Sequence, residues 1–135
     1  MSTLGVGILK STTAAPPVVQ NSSEIEVGQF CRAWVNFNGT GTVAIRASFN
    51  VSSITDNGVG NYNINFTNNM PDANYSYAGG SKYDVNDSHL LSVGEYYTGV
   101  TKSVSTFRAI VGIGGSSAYA GTRQDSTQVS LAFFR

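Results

Sequence analysis

The sequence predicts an all-β fold, an antiparallel β-sandwich of jelly-roll type behind an extended N-terminal arm, and three observations carry that expectation. From residue 30 onward, large apolar side chains recur at every second position in run after run. Glycine- and asparagine-rich turn signals separate those runs. No stretch sustains the roughly 3.6-residue apolar period of a helix. At 135 residues the chain has room for one substantial core and not for two.

Residues 1–29 contain Pro16-Pro17, many small residues and no sustained period, so they read as an extended arm. Fully stretched, such an arm would span roughly 90–100 Å. Its apolar and proline positions Leu4, Ile8, Leu9, Pro16, Pro17, Val18 and Val19 are the candidates for docking on a neighbouring subunit or a larger assembly. An arm folded back along its own domain is the alternative.

Residues 30–135 carry the sandwich. In "FCRAWVNFN", Cys31, Ala33, Val35 and Phe37 point one way, with Arg32, Trp34 and Asn36 on the other face. The turn "NGTG" follows. Val43, Ile45, Ala47, Phe49 and Val51 then form one apolar face opposite Ala44, Arg46, Ser48 and Asn50. The parity changes before Ile54, which predicts a bulge near Ser52-Ser53. "TDNGVG" is a hairpin signal, since Asn-Gly accepts the positive φ of tight primed turns, and Tyr62, Ile64 and Phe66 return inward. Ala73, Tyr75 and Tyr77 share a side, residues 79–99 are less regular, and Phe107, Ala109 and Val111 face inward in "STFRAIVGIGG". "TQVSLAFFR" closes the chain with Val129, Leu131 and Phe133 inward.

Composition limits the functions available. Only 12% of residues are charged and the formal net charge is zero, so no basic stripe exists for nucleic-acid phosphates. The N-terminal twenty residues lack both the basic start of a signal peptide and an apolar run long enough to span a membrane, so synthesis in a cytoplasm without membrane insertion is expected. Cys31 is the one cysteine and has no internal disulfide partner. N-x-S/T triplets starting at Asn21, Asn38, Asn50, Asn65, Asn74 and Asn86 read as a by-product of polar composition.

Chemistry-bearing motifs are weak. "VGIGGSSAYAG" lacks the frame of a phosphate-binding loop, and no G-x-S-x-G nucleophile elbow occurs. Asp84, Asp87 and His89 cluster in "DVNDSH", but without the glycine and terminal glutamate of a calcium loop, so a polar turn is expected there. His89 is the only histidine, which leaves zinc sites without a second imidazole. No metal, cofactor or catalytic residue is expected. The tyrosines of the irregular half (Tyr75, Tyr77, Tyr83, Tyr96, Tyr97, Tyr119) sit among Ser, Asn, Asp and Gly, a composition suited to recognition. Tyr83, Tyr96 and Tyr97, with His89, are the receptor-binding candidates; the alternative is that half or more of the tyrosines finish the core. Phe30, Trp34 and Phe134 fall on outward faces, which makes them candidates for an oligomer interface. Burying two such aromatics would contribute about 3–5 kcal/mol per subunit.

The stretch "CRAWVNFNGTGTVAIRASFNVSSITDNGVGNYNINFTNNMPDANY", with "VVQNSSEIEVG" before it and "STQVSLAFFR" at the end, resembles a domain of tail-fibre and other virion-surface proteins of tailed bacteriophages. The resemblance runs from about Val18 to Tyr75 and resumes in the closing strand; it carries no site motif. It implies a non-enzymatic, trimeric β-domain displayed on a virion. A short tail fibre or host receptor-binding protein is the first expectation, with virion docking through residues 1–29 and a host surface glycan or protein as target. A capsid decoration protein, cement or head fibre, is the alternative, and a small polysaccharide depolymerase a distant one.

Overall fold

The computed structural model describes residues 5–12, 17–82, 90–95, 102–114 and 122–135, excepting the side chains of 90, 91 and 114. Its contacts divide the chain into two units, Met1–Phe30 and Cys31–Arg135.

In the first unit, β1 (Val19–Gln20) and β2 (Glu26–Gly28) pair antiparallel. Asn21 shapes the turn between them. Its side-chain oxygen accepts the N–H groups of Ser23 at 2.9 Å and Ile25 at 3.1 Å, and its own N–H donates to the Ile25 carbonyl at 2.9 Å. Gln20 Nε2 caps the Glu24 carbonyl at 3.0 Å, and Glu24 takes the left-handed φ of 61° that closes the loop. The segment is therefore not extended throughout. It doubles back between Val19 and Gly28, which shortens its reach below that of a stretched arm.

The second unit is an all-β sandwich of antiparallel sheets, and no described residue is helical. Its strands are β3 (Cys31–Asn38), β4 (Ala44–Phe49), β5 (Val51–Asp56), β6 (Asn61–Phe66), β7 (Ser76–Ser81), β8 (Leu90–Glu95), β9 (Thr106–Gly114) and β10 (Val129–Phe134). One sheet runs β4-β3-β10-β7 and the other β5-β6-β9-β8. The inward sets expected on β3, β6, β9 and β10 are buried, with one exception: Ala33, Val35, Phe37; Tyr62, Ile64, Phe66; Phe107, Ala109, Val111; Val129, Leu131, Phe133. The exception is Cys31, which is half-buried and pairs with Phe134 beyond a register shift at Arg32 that takes it off the inward parity. Rings from both sheets interlock edge to face. Phe133 of β10 meets Phe66 at 5.1 Å, Phe107 at 5.2 Å and Tyr75 at 5.9 Å between centroids.

The chain passes from one sheet to the other at Asn50, between β4 and β5. Asn50 has φ 56°, a conformation that Asn tolerates better than other non-glycine residues. Its amide nitrogen donates to the carbonyls of Arg32 (3.0 Å) and Asn68 (3.1 Å), and its side-chain oxygen accepts the Asn68 N–H at 2.7 Å. The corner is thus fixed to two distant segments. The bulge expected near Ser52-Ser53 is present, since Val51 pairs with Phe66 while Ser53 pairs with Asn65.

Three expectations are revised. The alternation from Val43 to Val51 is not one face: Phe37 pairs with Ile45 while Asn36 pairs with Ala47, so Arg46 is an extra residue that reverses parity. Ala47 and Phe49 consequently point outward, and Val51 returns inward only beyond Asn50. Asn57-Gly58 is not the centre of a two-residue primed turn either. Asn57 N–H donates to the Asn61 carbonyl and Asn61 N–H to that of Gly58, with the positive φ at Gly58 and Gly60. Third, the irregular stretch 79–99 contains β8, whose Val93 lies opposite Val111 and packs on the core.

The turn at Gly60 is anchored from below. Asp125 Oδ1 accepts the Gly60 N–H at 2.8 Å and the Tyr62 hydroxyl at 2.7 Å, and that hydroxyl lies 2.8 Å from the Gly39 carbonyl oxygen. A Cβ at Gly60, where φ is 58°, would run into the Val111 carbonyl oxygen, so glycine is required. At the C-terminus the Arg135 guanidinium grips both oxygens of Asp72, at 2.7–3.1 Å, and holds that carboxyl below the usual carboxylate range.

Candidate interaction surface

The outer faces of the two sheets differ in chemistry. On the β5-β6-β9-β8 sheet, Ser53, Asn65 and Thr106 form one cross-strand row, and Thr55, Asn63 and Arg108 the next. These groups largely bond one another. Asn65 Nδ2 donates to Ser53 Oγ and Thr55 Oγ1 at 3.0 Å, Thr106 Oγ1 donates to Asn65 Oδ1 at 3.3 Å, and Arg108 Nε donates to Asn61 Oδ1 at 2.9 Å. Such a face suits water.

The outer face of the β4-β3-β10-β7 sheet is apolar at its middle. Register places Phe49, Trp34, Ala132 and Ala78 side by side in one row, and Ala47, Asn36, Ser130 and Gly80 in the next. Neither row has a charged side chain. Trp34 is 39% exposed and Phe49 55% exposed, although directly paired neighbours bury part of one another. The small residues on β10 and β7 leave an open depression of about 350 Å³ beside Trp34, floored by backbone and lined by Asn36, Ala78, Gly80, Ser130 and Ala132. Asn36 Nδ2 donates to Ser130 Oγ at 2.8 Å, so the polar pair in the second row is satisfied across the strands. The surface can bind by shape and apolar contact. No titratable side chain lines the depression.

Each sequence-derived candidate has a definite place or none. Trp34 belongs to this surface. Phe134 is half-buried at the end of β10, and Phe30, 43% exposed, belongs to the N-terminal unit. In that unit Ile8 (84% exposed), Leu9, Val18 and Val19 are all exposed and Pro17 is half-buried, whereas Leu4 and Pro16 lie outside the described residues. Tyr83, His89, Tyr96, Tyr97 and Tyr119, with Asp84 and Asp87, also lie outside them. Leu90 and Glu95, the described neighbours of His89 and Tyr96, stand at opposite ends of β8, about 17 Å apart. Tyr75 and Tyr77 are core groups: Tyr75 is buried, and Tyr77 stacks obliquely on Phe107 at 4.6 Å.

Sequence parity missed Phe49 and found Trp34. The alternation itself gives no signal for Phe49, since Arg46 falls on its polar side; only the pairing of β4 with β3 reveals the extra residue.

The described buried polar groups serve the fold. Tyr62 holds Asp125, the Ser126 hydroxyl donates to the Lys82 carbonyl at 2.6 Å with that of Gln128 2.9 Å away, and the Tyr75 hydroxyl donates to the Ser103 carbonyl at 3.1 Å. The Cys31 thiol donates to the Ala33 carbonyl at 3.1 Å. Among the described residues, no three His, Cys, Asp or Glu side chains converge as metal ligands.

No protein-family model, curated protein or solved structure matches the chain.

Proposed function

We propose that this chain is a non-enzymatic virion structural protein of a tailed bacteriophage, a short tail fibre or host receptor-binding protein displayed as a homotrimer. The phage setting rests on the sequence resemblance. The mode of action rests on one observation: Trp34 and Phe49 stand paired and exposed in a cross-strand row that holds no charged side chain, while the rows on the opposite outer face are polar. Isolated exposed hydrophobics are ordinary, but two adjoining aromatics beside an apolar depression mark a surface for contact. Repeating the domain around a symmetry axis covers that face and presents several copies of each loop to a host surface glycan or protein, so weak single contacts gain avidity.

The N-terminal unit supplies the second contact. Its two-stranded ribbon is marginal by itself in water, and Val18, Val19, Ile25 and Val27 lie exposed on it, next to a turn already fixed by Asn21. A preformed ribbon with uncovered apolar groups suits docking on another virion protein of the tail, baseplate or capsid.

Location on the particle and binding to cells test the reading together. Gold-labelled antibody against the chain is expected at the tail, and the purified chain is expected to bind host cells and to block adsorption. Label confined to the capsid lattice, with no cell binding, would establish the decoration role instead.

A further inference from the structure

The sequence holds two Asn-Gly dipeptides, and the fold treats them in opposite ways. At Asn38-Gly39 the side chain is clamped. Asn38 Nδ2 donates to the Thr40 carbonyl at 2.7 Å, and Oδ1 accepts the Thr40 hydroxyl at 2.9 Å. The Gly39 N–H is itself engaged, donating to the Ser126 carbonyl at 2.8 Å, and the position is overlaid by the Tyr62 hydroxyl. At Asn57-Gly58 both residues are exposed, and among the described residues the Asn57 side chain makes only a 3.5 Å contact to the Thr55 carbonyl. The Gly58 N–H points at a carboxylate: it donates to Asp56 Oδ1 at 2.8 Å.

We propose that Asn57 is a site of spontaneous deamidation, with Asp56 receiving the proton of the attacking nitrogen. The Gly58 backbone nitrogen gives up its proton to the Asp56 carboxylate and attacks Cγ of Asn57. The new N–Cγ bond closes a five-membered succinimide as the Cγ–Nδ2 bond breaks, and the amide nitrogen leaves as ammonia carrying a proton. Water then adds to either succinimide carbonyl, giving aspartate or isoaspartate. Water is the only co-reactant and no oxidation state changes. Glycine at 58 favours the attack because no side chain shields the nitrogen and the backbone is free to adopt the required angle.

The product matters because the chain is formally neutral. Conversion adds a negative charge next to Asp56, in the turn at the end of the second sheet where Leu90 pairs with Gly114. Isoaspartate also inserts a methylene into the backbone of a turn held by Asn57 N–H to the Asn61 carbonyl (2.8 Å) and Asn61 N–H to the Gly58 carbonyl (2.9 Å). The modification is thus a slow charge and shape change at one end of the domain, independent of the function proposed above.

Incubation of the folded, full chain in mildly alkaline buffer, followed by peptide mass spectrometry and isoaspartate labelling, reads it directly. Asn57 is expected to convert to an aspartate–isoaspartate mixture about tenfold or more faster than Asn38, because freeing the Asn38 amide breaks hydrogen bonds that Asn57 does not make. In urea the two sites are expected to react at similar rates. Asn57 remaining intact in the folded chain while the unfolded chain reacts, or Asn38 reacting as fast as Asn57, overturns the proposal. Asp56→Asn is expected to slow conversion at Asn57 and leave Asn38 unchanged; an unaltered rate at Asn57 removes the carboxylate from the step.

Discussion

At Asn50 one side chain both permits a left-handed backbone and ties the resulting corner to the segments around Arg32 and Asn68. Asn50→Ala loses both parts and is expected to cost about 2–4 kcal/mol, whereas Asn50→Gly keeps the backbone freedom and costs about half as much. Urea denaturation of the two variants measures the split. Tyr62 and Tyr75 give a pH signature. Burial raises the Tyr62 phenol above its ordinary value of 10.0, helped by the hydrogen bond to the Asp125 carboxylate; burial likewise raises Tyr75, helped by the charge of Glu95. Both folded values exceed the unfolded one, so the stabilisation is complete below about pH 10 and is lost as pH climbs above it. In an alkaline titration these two of the seven tyrosines are expected to ionise only as the fold melts, and Tyr62→Phe is expected to flatten the loss of stability. Phenolate absorbance complete for all seven while near-UV circular dichroism is still native would contradict this.

Among the elements, β4 separates what parity can read from what it cannot. The inward sets of β6 and β9, and of β3 and β10 between Ala33 and Phe37, were legible because the register there is even; Cys31, past the shift at Arg32, was not. Along β4 the sequence shows the same alternation, yet the extra residue at Arg46 and the corner at Asn50 reverse it twice within a few residues. Only pairing with β3 shows that Phe49 faces out with Trp34. β8 escaped notice because a short stretch bearing Val93 and Gly94 carries little pattern until Val111 is known to lie beside it. The candidate surface was therefore half legible: Trp34 from parity, Phe49 from pairing alone. Substitution separates the two kinds of aromatic. In the chain diluted to monomer, Phe49→Ser is expected to change stability by less than about 1 kcal/mol, while Phe133→Ala, which leaves Phe66, Tyr75 and Phe107 without their common partner, is expected to cost about 3–5 kcal/mol. Equal costs in thermal or urea unfolding would place Phe49 in the core.

For the molecule as a whole, the contrast between its two outer sheet faces is what connects sequence to role. Ser53, Thr55, Asn63, Asn65 and Thr106 line the middle of one face, with Asn65 bonding across its strands. On the other face, Trp34, Phe49 and a run of Ala and Gly give the middle two rows without a charged side chain and an open depression. The N-terminal ribbon adds further uncovered apolar groups. In the role proposed above, such a chain works through contact and copy number. Sedimentation equilibrium of the intact chain at micromolar concentration tests that claim most directly. The expected result is a species of three times the chain mass that the double change Trp34→Ser with Phe49→Ser shifts toward a folded monomer. A wild-type chain that sediments as a single stable monomer would contradict it.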